Sequence, residues 1–256
     1  MKMVVLDACG LIGPKVVTAI RTRRHEVFAA SPDVGVNIVT GERLTQALAG
    51  AQVVIDVAHP PSCQDAAATM ELMEKCCLNI ISAASAAHVT HHVALSEVGT
   101  GLLDSAYFRA QEARENLIEA SLVPHTILRS TQFFEWIYRI AGFCVEGQTI
   151  GVAPACVQPD LSDEVAAALA DFAVSLPRNS TLEMAGPERL RLDEMVRRLF
   201  SATRNVREVI TDPRACYFGA EVSDGALVPD DDAIIGVTRF EEWLSRSAAS
   251  EKSGQL

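Results

Sequence analysis

Apolar segments that alternate with helical patterns constrain the fold of this chain more than any other feature of its sequence. In the first half, short runs that are apolar throughout are separated by segments whose apolar residues recur at helical spacing. Strands of this kind occur in parallel sheets that helices cover on both faces. We therefore predict an α/β fold: a doubly wound parallel sheet, Rossmann-like, with a small C-terminal α/β lobe over the cleft.

The order of the predicted elements indicates the domain organisation. The predicted strands of the first half are MVVL, EVFAAS, VNIVT, QVVIDVA, NIISAA, HHVALSEV and HTILRS, and its predicted helices are 11–23, 42–49, 65–77 and 107–120. After residue 130 the pattern changes to an aromatic helical segment followed by short strands and helices. We predict a nucleotide-binding domain at 1–130, a smaller lid lobe interleaved with it at 131–248, and a disordered tail at 249–256.

Charge and cysteine content limit the classes of partner. The net charge of −11 disfavours a nucleic-acid partner, because nucleic-acid binders present a basic face to the phosphates. We find no segment apolar enough to span a membrane and no secretory signal. Seven cysteines, an odd number without a C-x-x-C pair, indicate a reducing compartment. We expect a cytoplasmic protein that acts on a small-molecule substrate and whose protein partner, if it has one, is a second copy in a homodimer.

A turn with two glycines follows the first predicted strand. Gly10 and Gly13 in VVLDACGLIG stand between a strand and a helix, which is the context of a phosphate-binding turn. Glycine lets the backbone approach a pyrophosphate, whose charge is stabilised by free N–H groups at the helix start. We predict that Asp7, Gly10, Leu11, Ile12 and Gly13 border a cofactor. An ordinary tight turn between strand and helix is the alternative.

The carboxylate of Asp7 opposes that prediction. A negative charge roughly 4 Å from a pyrophosphate costs up to about 4 kcal/mol when the effective dielectric constant is about 20, which is enough to abolish binding. Two alternatives remain. Either the Asp7 side chain bonds to local N–H groups in a left-handed conformation, which Asp tolerates better than most residues, or the ligand is not a dinucleotide.

The residues after the second strand bear on the choice between the two nicotinamide cofactors. An acidic residue at this place binds a ribose hydroxyl pair, and an arginine binds a 2′-phosphate. Ser31 does neither clearly, and Asp33 follows a proline, so we interpret Asp33 first as a turn residue. We expect NADP or NAD, with a preference for NADP, or no cofactor at all because of Asp7.

Motifs along almost the whole chain resemble one protein family. They occur in the order GLIG, GERLTQALAGAQVVIDVAHPPS, HHVALSEVGT, YFRAQ, ILRSTQFFEW, MAGPERLRLDEM, YFGAE and TRFEEWL. Together they resemble the NmrA-like branch of the atypical short-chain dehydrogenase/reductases. The resemblance implies a Rossmann domain that binds NAD(P), a cleft under a small C-terminal lobe and, for many members, reduction of a small organic molecule.

The resemblance also implies roles for individual residues. The two glycines match the family's glycine turn, and Ala58 and His59 match the loop after the fourth strand, which borders the cofactor. Tyr107 matches the tyrosine of the family's Y-x-x-x-K motif, and Ser96 resembles the serine that precedes it. In the family's chemistry the tyrosine protonates a carbonyl oxygen as hydride arrives. The lysine lowers the pKa of the phenol and holds the nicotinamide ribose.

Two residues depart from the family pattern. Asp7 replaces the first glycine of the turn, and Gln111 stands where the motif has lysine. Gln111 lies one helical turn from Tyr107, so a hydrogen bond to the ribose is retained, but the positive charge is lost. We therefore expect the pKa of Tyr107 to stay near the usual value of about 10, which makes the phenol a weaker general acid. Neither Arg109 nor Arg114 is an obvious substitute for the lysine.

The histidines are further candidates. His59 follows the strand whose carboxyl end should border the ligand crevice, and it is the best additional acid or base in the chain. His88, His91 and His92 stand at a loop-to-strand junction without a carboxylate or cysteine close in sequence. This setting favours a solvated, structural role over a metal site.

Phe133, Phe134 and Trp136 form an aromatic stripe on the predicted helix after residue 130. They are candidates for the apolar wall of a substrate pocket, although aromatic residues at helical spacing more often pack a core. Phe134 and Trp136 cannot share one helix face, so we expect at least one of them to face the lobe boundary or the cleft.

Three functions are compatible with these residues. The first is an NAD(P)-dependent oxidoreductase that acts on a small, apolar carbonyl or quinone-like metabolite, and it is supported by the fold, the glycine turn and Tyr107. The second is a nucleotide-sensing regulatory protein without turnover, which the loss of the lysine favours. The third is a non-redox catalyst of cyclisation, dehydration or coupling, in which Tyr107, His59 and Ser96 transfer protons. We favour the first.

Overall fold

A computed structural model of the chain describes residues 1–59, 66–137, 145–146, 149–203, 205 and 207–252. Its strands are β1 (Lys2–Leu6), β2 (Glu26–Ala30), β3 (Val53–Asp56), β4 (His91–Glu97), β5 (His125–Ser130), β6 (Val145–Glu146), β7 (Thr149–Val152), β8 (Cys156–Val157), β9 (Thr181–Ala185), β10 (Leu190–Arg191), β11 (Glu208–Thr211) and β12 (Ile234–Ile235). Its helices are α1 (Gly13–Thr22), α2 (Leu44–Leu48), α3 (Ala66–Ala86), α4 (Ala106–Ala120), α5 (Ser162–Val174), α6 (Leu192–Ala202) and α7 (Phe240–Lys252).

Seven strands form a sheet in the order β12-β9-β5-β4-β3-β1-β2. The pairings of β1 with β2 and β3, of β3 with β4, and of β9 with β12 are parallel. Strands β3 and β4 are buried along their whole length, as strands covered on both faces must be. The chain runs from β1 outward to β2 and then crosses to β3, so the strand order reverses between β1 and β3. The predicted doubly wound, Rossmann-like sheet is confirmed.

Helices α1, α3 and α4 connect successive parallel strands. Such crossovers are right-handed, and the chain leaves β1 in one direction and β3 in the other, so α1 lies on one face of the sheet and α3 and α4 on the opposite face. Accordingly, α1 packs against α5, and α3 packs against α4. In folds of this kind a ligand binds at the carboxyl ends of the strands where the order reverses, which here are the ends of β1 and β3.

The segment NIISAA is helical, so the prediction of a buried strand there is wrong. It belongs to the second half of α3, which continues to Ala86. Ile80, Ala83 and Ala84 are buried in the core, whereas Ser85 is exposed. This spacing of three and four residues is that of one helix face. A short apolar run cannot be assigned to a strand or a helix by its apolar content alone.

The predicted strand VNIVT is a loop. Oδ1 of Asn37 accepts hydrogen bonds from the backbone N–H groups of Val39, at 2.8 Å, and Thr40, at 3.1 Å, and these bonds turn the chain. Val36 is buried in the core without forming a strand. Therefore β2 is the edge strand of the sheet, and β3 takes the place of the fourth strand of the prediction.

The chain divides into two compact units. The first comprises Met1–Gly101, Ala106–Arg129 and Ser162–Leu182, and the second comprises Leu102–Ser105, Ser130–Leu161 and Glu183–Leu256. The main difference from the predicted boundary is that α5 belongs to the first unit. Nζ of Lys15, on α1, donates to Oγ of Ser162 at 2.6 Å and pairs with Oδ2 of Asp163 at 2.5 Å. These contacts hold the start of α5 against α1.

The second unit contains two smaller sheets, β8-β10 and β6-β7-β11, together with α6 and α7. The predicted helix over 131–143 begins instead as a 3₁₀ turn at Phe134–Trp136, and residues 138–144 lie outside the described residues. The predicted tail, 249–256, begins inside α7, and its last four residues lie outside the described residues. Across the described ranges, no helix combines the length and apolar character needed to cross a membrane.

A buried ion pair joins α4 to the ends of β3 and β4. Nη2 of Arg114 lies 2.8 Å from Oδ2 of Asp56, and both side chains are almost completely buried. Nη1 of Arg114 donates to the carbonyl oxygen of Leu95, at 2.7 Å. Burial by itself raises the pKa of Asp56, but Arg114, and then His92, hold that pKa well below its usual range. Asp56 therefore stays charged, and the pair fixes α4 to β3 and β4.

Replacement of Arg114 by methionine should destabilise the protein strongly, because it leaves a buried carboxylate without a partner. We expect Arg114→Met to lower the unfolding free energy in urea by about 3–5 kcal/mol, and the double variant Asp56→Asn, Arg114→Met to lose less. The pKa of Asp56 is depressed in the folded state. Its contribution is therefore complete above about pH 4 and is lost as the pH falls from there through the folded pKa. Additive losses in the double variant would contradict the coupling.

Candidate functional site

The turn between β1 and α1 begins with Asp7 in a left-handed backbone conformation, with a φ of 57°. Glycine adopts this conformation most readily, and Asp tolerates it better than most residues. Oδ1 of Asp7 accepts a hydrogen bond from the Cys9 thiol, at 3.3 Å. Partial burial, and then Asp7, raise the pKa of Cys9. Asp7 thus adopts the left-handed conformation considered above, but its local donor is a thiol rather than an N–H group.

Gly13 and Gly10 occupy this turn for different reasons. A Cβ at Gly13 would lie 2.5 Å from Cα of Ala8, so the packing of α1 against the turn requires glycine. Among the described residues, a Cβ at Gly10 would meet no atom nearer than the carbonyl oxygen of Asp7, at 4.0 Å, and Gly10 does not have a positive φ. The described part of the chain therefore does not require glycine at position 10, whereas a ligand that approaches the backbone would require it.

The start of α1 offers backbone N–H groups to an anion. Its N-cap residue, Ile12, makes no side-chain capping bond, and no acidic residue lies in the first turn. The first N–H groups of a helix have no partner within the helix and lie at its positive dipole end, where phosphate groups bind. Gly10, Leu11, Ile12 and Gly13 therefore form a turn suited to an anion, although the carboxylate of Asp7 stands at its beginning.

An arginine lies at the turn after β2. The carbonyl oxygen of Ser31, a buried residue, accepts hydrogen bonds from the N–H groups of Val34 and Val36, both at 3.1 Å, and so closes this turn. Nη1 of Arg43 donates to the carbonyl oxygen of Val34, at 3.4 Å. Arg43 was not among the predicted site residues. The loop after β2 brings its guanidinium group back to this turn, but this segment was expected to be a strand.

Ala58 and His59 follow β3 directly, on the strand next to β1 where the order reverses. Ala58 is buried, and its N–H group donates to Oδ1 of Asp56 at 3.1 Å. His59 is half-buried. The residues that follow it, 60–65, lie outside the described residues. Both residues are thus at the carboxyl end of a strand at the reversal point, as the sequence predicts.

Tyr107 forms a hydrogen bond to a carboxylate that was not among the predicted site residues. Its hydroxyl donates to Oε2 of Glu97, at 2.7 Å. Glu97 is the last residue of β4 and is only 8% exposed. Removal from water, and then Glu97, raise the pKa of Tyr107 well above its usual value. The prediction of a nearly unshifted pKa is therefore wrong, because a negative charge stands beside the phenol.

Ser96 and Gln111 are buried polar residues on the two elements that carry Glu97 and Tyr107. Ser96 precedes Glu97 on β4, and Gln111 lies one turn after Tyr107 on α4. Among the described residues, the hydroxyl oxygen of Ser96 has no hydrogen-bond partner. An unbonded buried hydroxyl costs about 1–3 kcal/mol, so a ligand that bonded to Ser96 would regain that free energy. Gln111 also acts on the phenol, lowering its pKa, but less than burial and Glu97 raise it.

The prediction of a solvated role is wrong for His91 and His92. Both lie on β4, which is buried on both faces and leaves them no solvated side. Nε2 of His91 lies 2.9 Å from Oγ1 of Thr126, and burial lowers the pKa of His91 to about 4. Nε2 of His92 lies 3.6 Å from Oδ2 of Asp56, and His88 is exposed. No group of three or more metal-ligating side chains within the described part of the chain could hold a metal ion.

The aromatic residues after β5 separate into two roles. Phe134 is buried and packs against Phe240 and Trp243 of α7, with ring centroids 5.7 and 5.4 Å apart. It is therefore a core residue of the second unit. Phe133 and Trp136 contact each other edge to face at 5.8 Å, and Trp136 is half-buried. These two remain candidates for contact with a substrate.

Comparison with solved structures identifies the fold. The chain is similar to a short-chain dehydrogenase/reductase superfamily protein of Agrobacterium tumefaciens with bound NAD, at 14% identity over 99% of this chain and 98% of that one, with a TM-score of 0.69. It is similar to the UDP-glucose 4-epimerase of Thermotoga maritima with UDP-glucose, at 13% identity over 100% of both chains, with a TM-score of 0.71. It is also similar to an NADPH-dependent quinone oxidoreductase of Escherichia coli complexed with NADPH, at 16% identity over 83% and 78% of the two chains, with a TM-score of 0.63. No family model matches the chain, and no curated protein matches its sequence. At these identities the likeness shows the fold alone, which is Rossmann-like.

Alanine at the two glycines of the turn should separate packing from ligand binding. Because its Cβ would collide with Ala8, we expect Gly13→Ala to lower the unfolding free energy by about 1–3 kcal/mol. Gly10→Ala should change stability by less than about 0.5 kcal/mol. If NADPH binds at this turn, the added methyl group would take the space of its phosphates and weaken binding about tenfold or more, measured by nicotinamide fluorescence. Unchanged NADPH affinity in Gly10→Ala would contradict an anion site at this turn.

Proposed function

We propose that this protein is an NAD(P)-binding oxidoreductase of the NmrA-like, atypical short-chain dehydrogenase/reductase type, acting on a small apolar carbonyl or quinone-like metabolite. The observation that carries the proposal is the turn at Gly10, which is shaped for an anion and lies where the strand order reverses. Tyr107 on α4 supports it, because a phenol is the proton-transfer group of this chemistry. The substrate class is supported by the likeness to a quinone oxidoreductase.

A dinucleotide fits the residues of the first unit. The N–H groups of Leu11, Ile12 and Gly13 would bind the pyrophosphate, with the Gly10 backbone beside it. Ser31 and Arg43 would lie beside the adenosine ribose, and His59 would border the nicotinamide. The buried amide of Gln111 carries both a donor and an acceptor and could bond to ribose hydroxyls. When bound, the cofactor supplies hydride transfer, while the protein supplies position and protons.

NADP is the proposed cofactor because of Arg43. Its guanidinium group is held at the turn after β2 by the hydrogen bond to Val34, and arginine is the residue that accommodates a 2′-phosphate at this place. Asp33 on the same turn acts in the opposite sense, because an acidic residue at this place favours the ribose hydroxyl pair of NAD. The guanidinium can pair with a phosphate in a bidentate manner, which favours NADP.

A non-redox catalyst on the same scaffold, for a cyclisation, dehydration or coupling, is the second candidate. Two observations favour it. Asp7 places a negative charge where a pyrophosphate would bind. Position 111 lacks the cation that would hold the nicotinamide ribose and lower the pKa of Tyr107. Tyr107, Ser96 and His59 would then transfer protons without a dinucleotide. A nucleotide sensor would require binding but no turnover.

Titration with NADPH and with NADH, followed by nicotinamide fluorescence, is the first test of the oxidoreductase. We expect micromolar binding, and turnover of menadione with NADPH that Tyr107→Phe lowers by a factor of about 10² to 10⁴. Tyr217→Phe, which removes the hydroxyl of a buried tyrosine in the second unit, is the control and should keep its activity. If the natural protein binds neither dinucleotide and the double variant Asp7→Gly, Gln111→Lys does, the non-redox candidate replaces the oxidoreductase. Binding without turnover would favour a sensor.

Arg43→Ala tests the choice between NADP and NAD. Because the guanidinium would contact only the 2′-phosphate, we expect the dissociation constant of NADPH to rise about tenfold while that of NADH stays the same. Arg21→Ala, which removes an exposed charge at the end of α1, is the control. An equal loss for both cofactors, or for neither, would remove Arg43 from the proposed site.

A further inference from the structure

The surroundings of Tyr107 are opposite in charge to those that the family pattern implies. A lysine at position 111 would lower the pKa of the phenol, whereas burial and Glu97 raise that pKa here. A phenolate is therefore scarce at neutral pH, and a phenol alone is a poor proton acceptor. Some other group must take the proton if Tyr107 is to act on a substrate.

We propose that Glu97 is the terminal proton acceptor and donor behind Tyr107, so that the two residues form a relay that needs no cation at position 111. The hydroxyl of Tyr107 already donates to Oε2 of Glu97 at 2.7 Å, and the carboxylate is almost excluded from water. Hydrogen bonds to ionised groups are among the strongest in proteins. The inference rests on the proposed function insofar as Tyr107 is the residue that touches the substrate.

The relay moves two protons. A substrate O–H bond breaks and its proton goes to the phenol oxygen of Tyr107, while the phenol O–H bond breaks and its proton goes to the carboxylate of Glu97. The electron pair of the broken bond stays on the substrate oxygen. The products are a substrate oxyanion, a neutral phenol and a neutral carboxylic acid, so charge and atoms balance. In the reverse direction the same pair delivers a proton to an oxyanion formed at a carbonyl.

The fold holds the two members of the relay in register. Arg114, on the helix that carries Tyr107, donates to the carbonyl oxygen of Leu95, two residues before Glu97 on β4. Glu97 of β4 and Arg114 of α4 are charged groups that act on the phenol, Glu97 raising its pKa and Arg114 lowering it. Arg114 lowers the pKa of the phenol, but less than burial and Glu97 raise it. Glu97 is therefore the dominant charge beside Tyr107.

Titration of Tyr107 by NMR, with ¹³C in the tyrosine rings, tests the relay without cofactor or substrate. Comparison with Tyr107→Phe assigns the signal. In the natural protein we expect the Tyr107 signal to report two transitions, a lower one as Glu97 gains or loses its proton and a high one for the phenol. Glu97→Gln should abolish the lower transition and shift the phenol midpoint to lower pH. Glu112→Gln, which removes an exposed carboxylate on the same helix, should leave both transitions in place. An unchanged titration in Glu97→Gln would overturn the proposal.

Turnover of menadione with NADPH provides the second arm. We expect Glu97→Gln to lower kcat/KM about 10²-fold and to remove one limb of its pH profile, whereas Glu112→Gln should do neither. Adding Gln111→Lys to Glu97→Gln should restore part of the activity, because the lysine then lowers the pKa of the phenol directly. A Glu97→Gln protein with the pH profile of the natural one would overturn the relay. If no dinucleotide binds, the proposed function fails, but the NMR titration still decides whether Glu97 and Tyr107 share a proton.

Discussion

The ion pair between Asp56 and Arg114 fixes the relative positions of the elements that carry the candidate site. Arg114 lies on α4 with Tyr107 and Gln111, and Asp56 ends β3 three residues before His59. Burial of two charges costs several kcal/mol per ion, so the pair adds little net stability. Its main effect is to fix the position of α4 relative to β3. Any arrangement that moved α4 along the sheet would leave a buried charge without its partner. The register of Tyr107 against the end of β4 follows from that constraint.

The main sheet could be predicted because its central strands are largely continuous apolar runs between helical segments, namely β1, β3, β4 and β5. The two wrongly predicted strands, NIISAA and VNIVT, have one cause: apolar content alone does not distinguish a strand from a helix or a loop. Ile80, Ala83 and Ala84 of NIISAA are apolar enough for a buried strand, and only their burial on one helix face distinguishes the two. In VNIVT the side chain of Asn37 bonds to the following backbone, a local competition with the strand that the apolar pattern does not reveal.

The residues of the candidate site also differ in how far they could be predicted, depending on whether their contacts are local in sequence or tertiary. The glycine turn was accessible from sequence because a strand, the turn and a helix follow each other along the chain. Glu97 and Arg43 were not accessible, because the bond of Glu97 to Tyr107 depends on the position of α4 beside β4, and that of Arg43 to Val34 depends on the path of a loop. The consequence is greatest at Tyr107, where the expected neutral surroundings prove to contain a carboxylate.

Compared with the family pattern, Asp7 and Gln111 both make the charge of the first unit more negative. This change has opposite effects on phosphate binding at the turn and on proton transfer at Tyr107. At the turn, a helix N-terminus contributes about 0.3–1 kcal/mol toward an anion, whereas a carboxylate roughly 4 Å away opposes it by up to about 4 kcal/mol. Pyrophosphate binding therefore depends on how far the bond to Cys9 holds Asp7 from the phosphates. At Tyr107 the absent cation leaves Glu97 as the group that exchanges a proton with the phenol, and there the negative charge assists. The two departures thus act in opposite senses on phosphate binding and on proton transfer, which is why the affinity for a dinucleotide decides between a redox and a non-redox role.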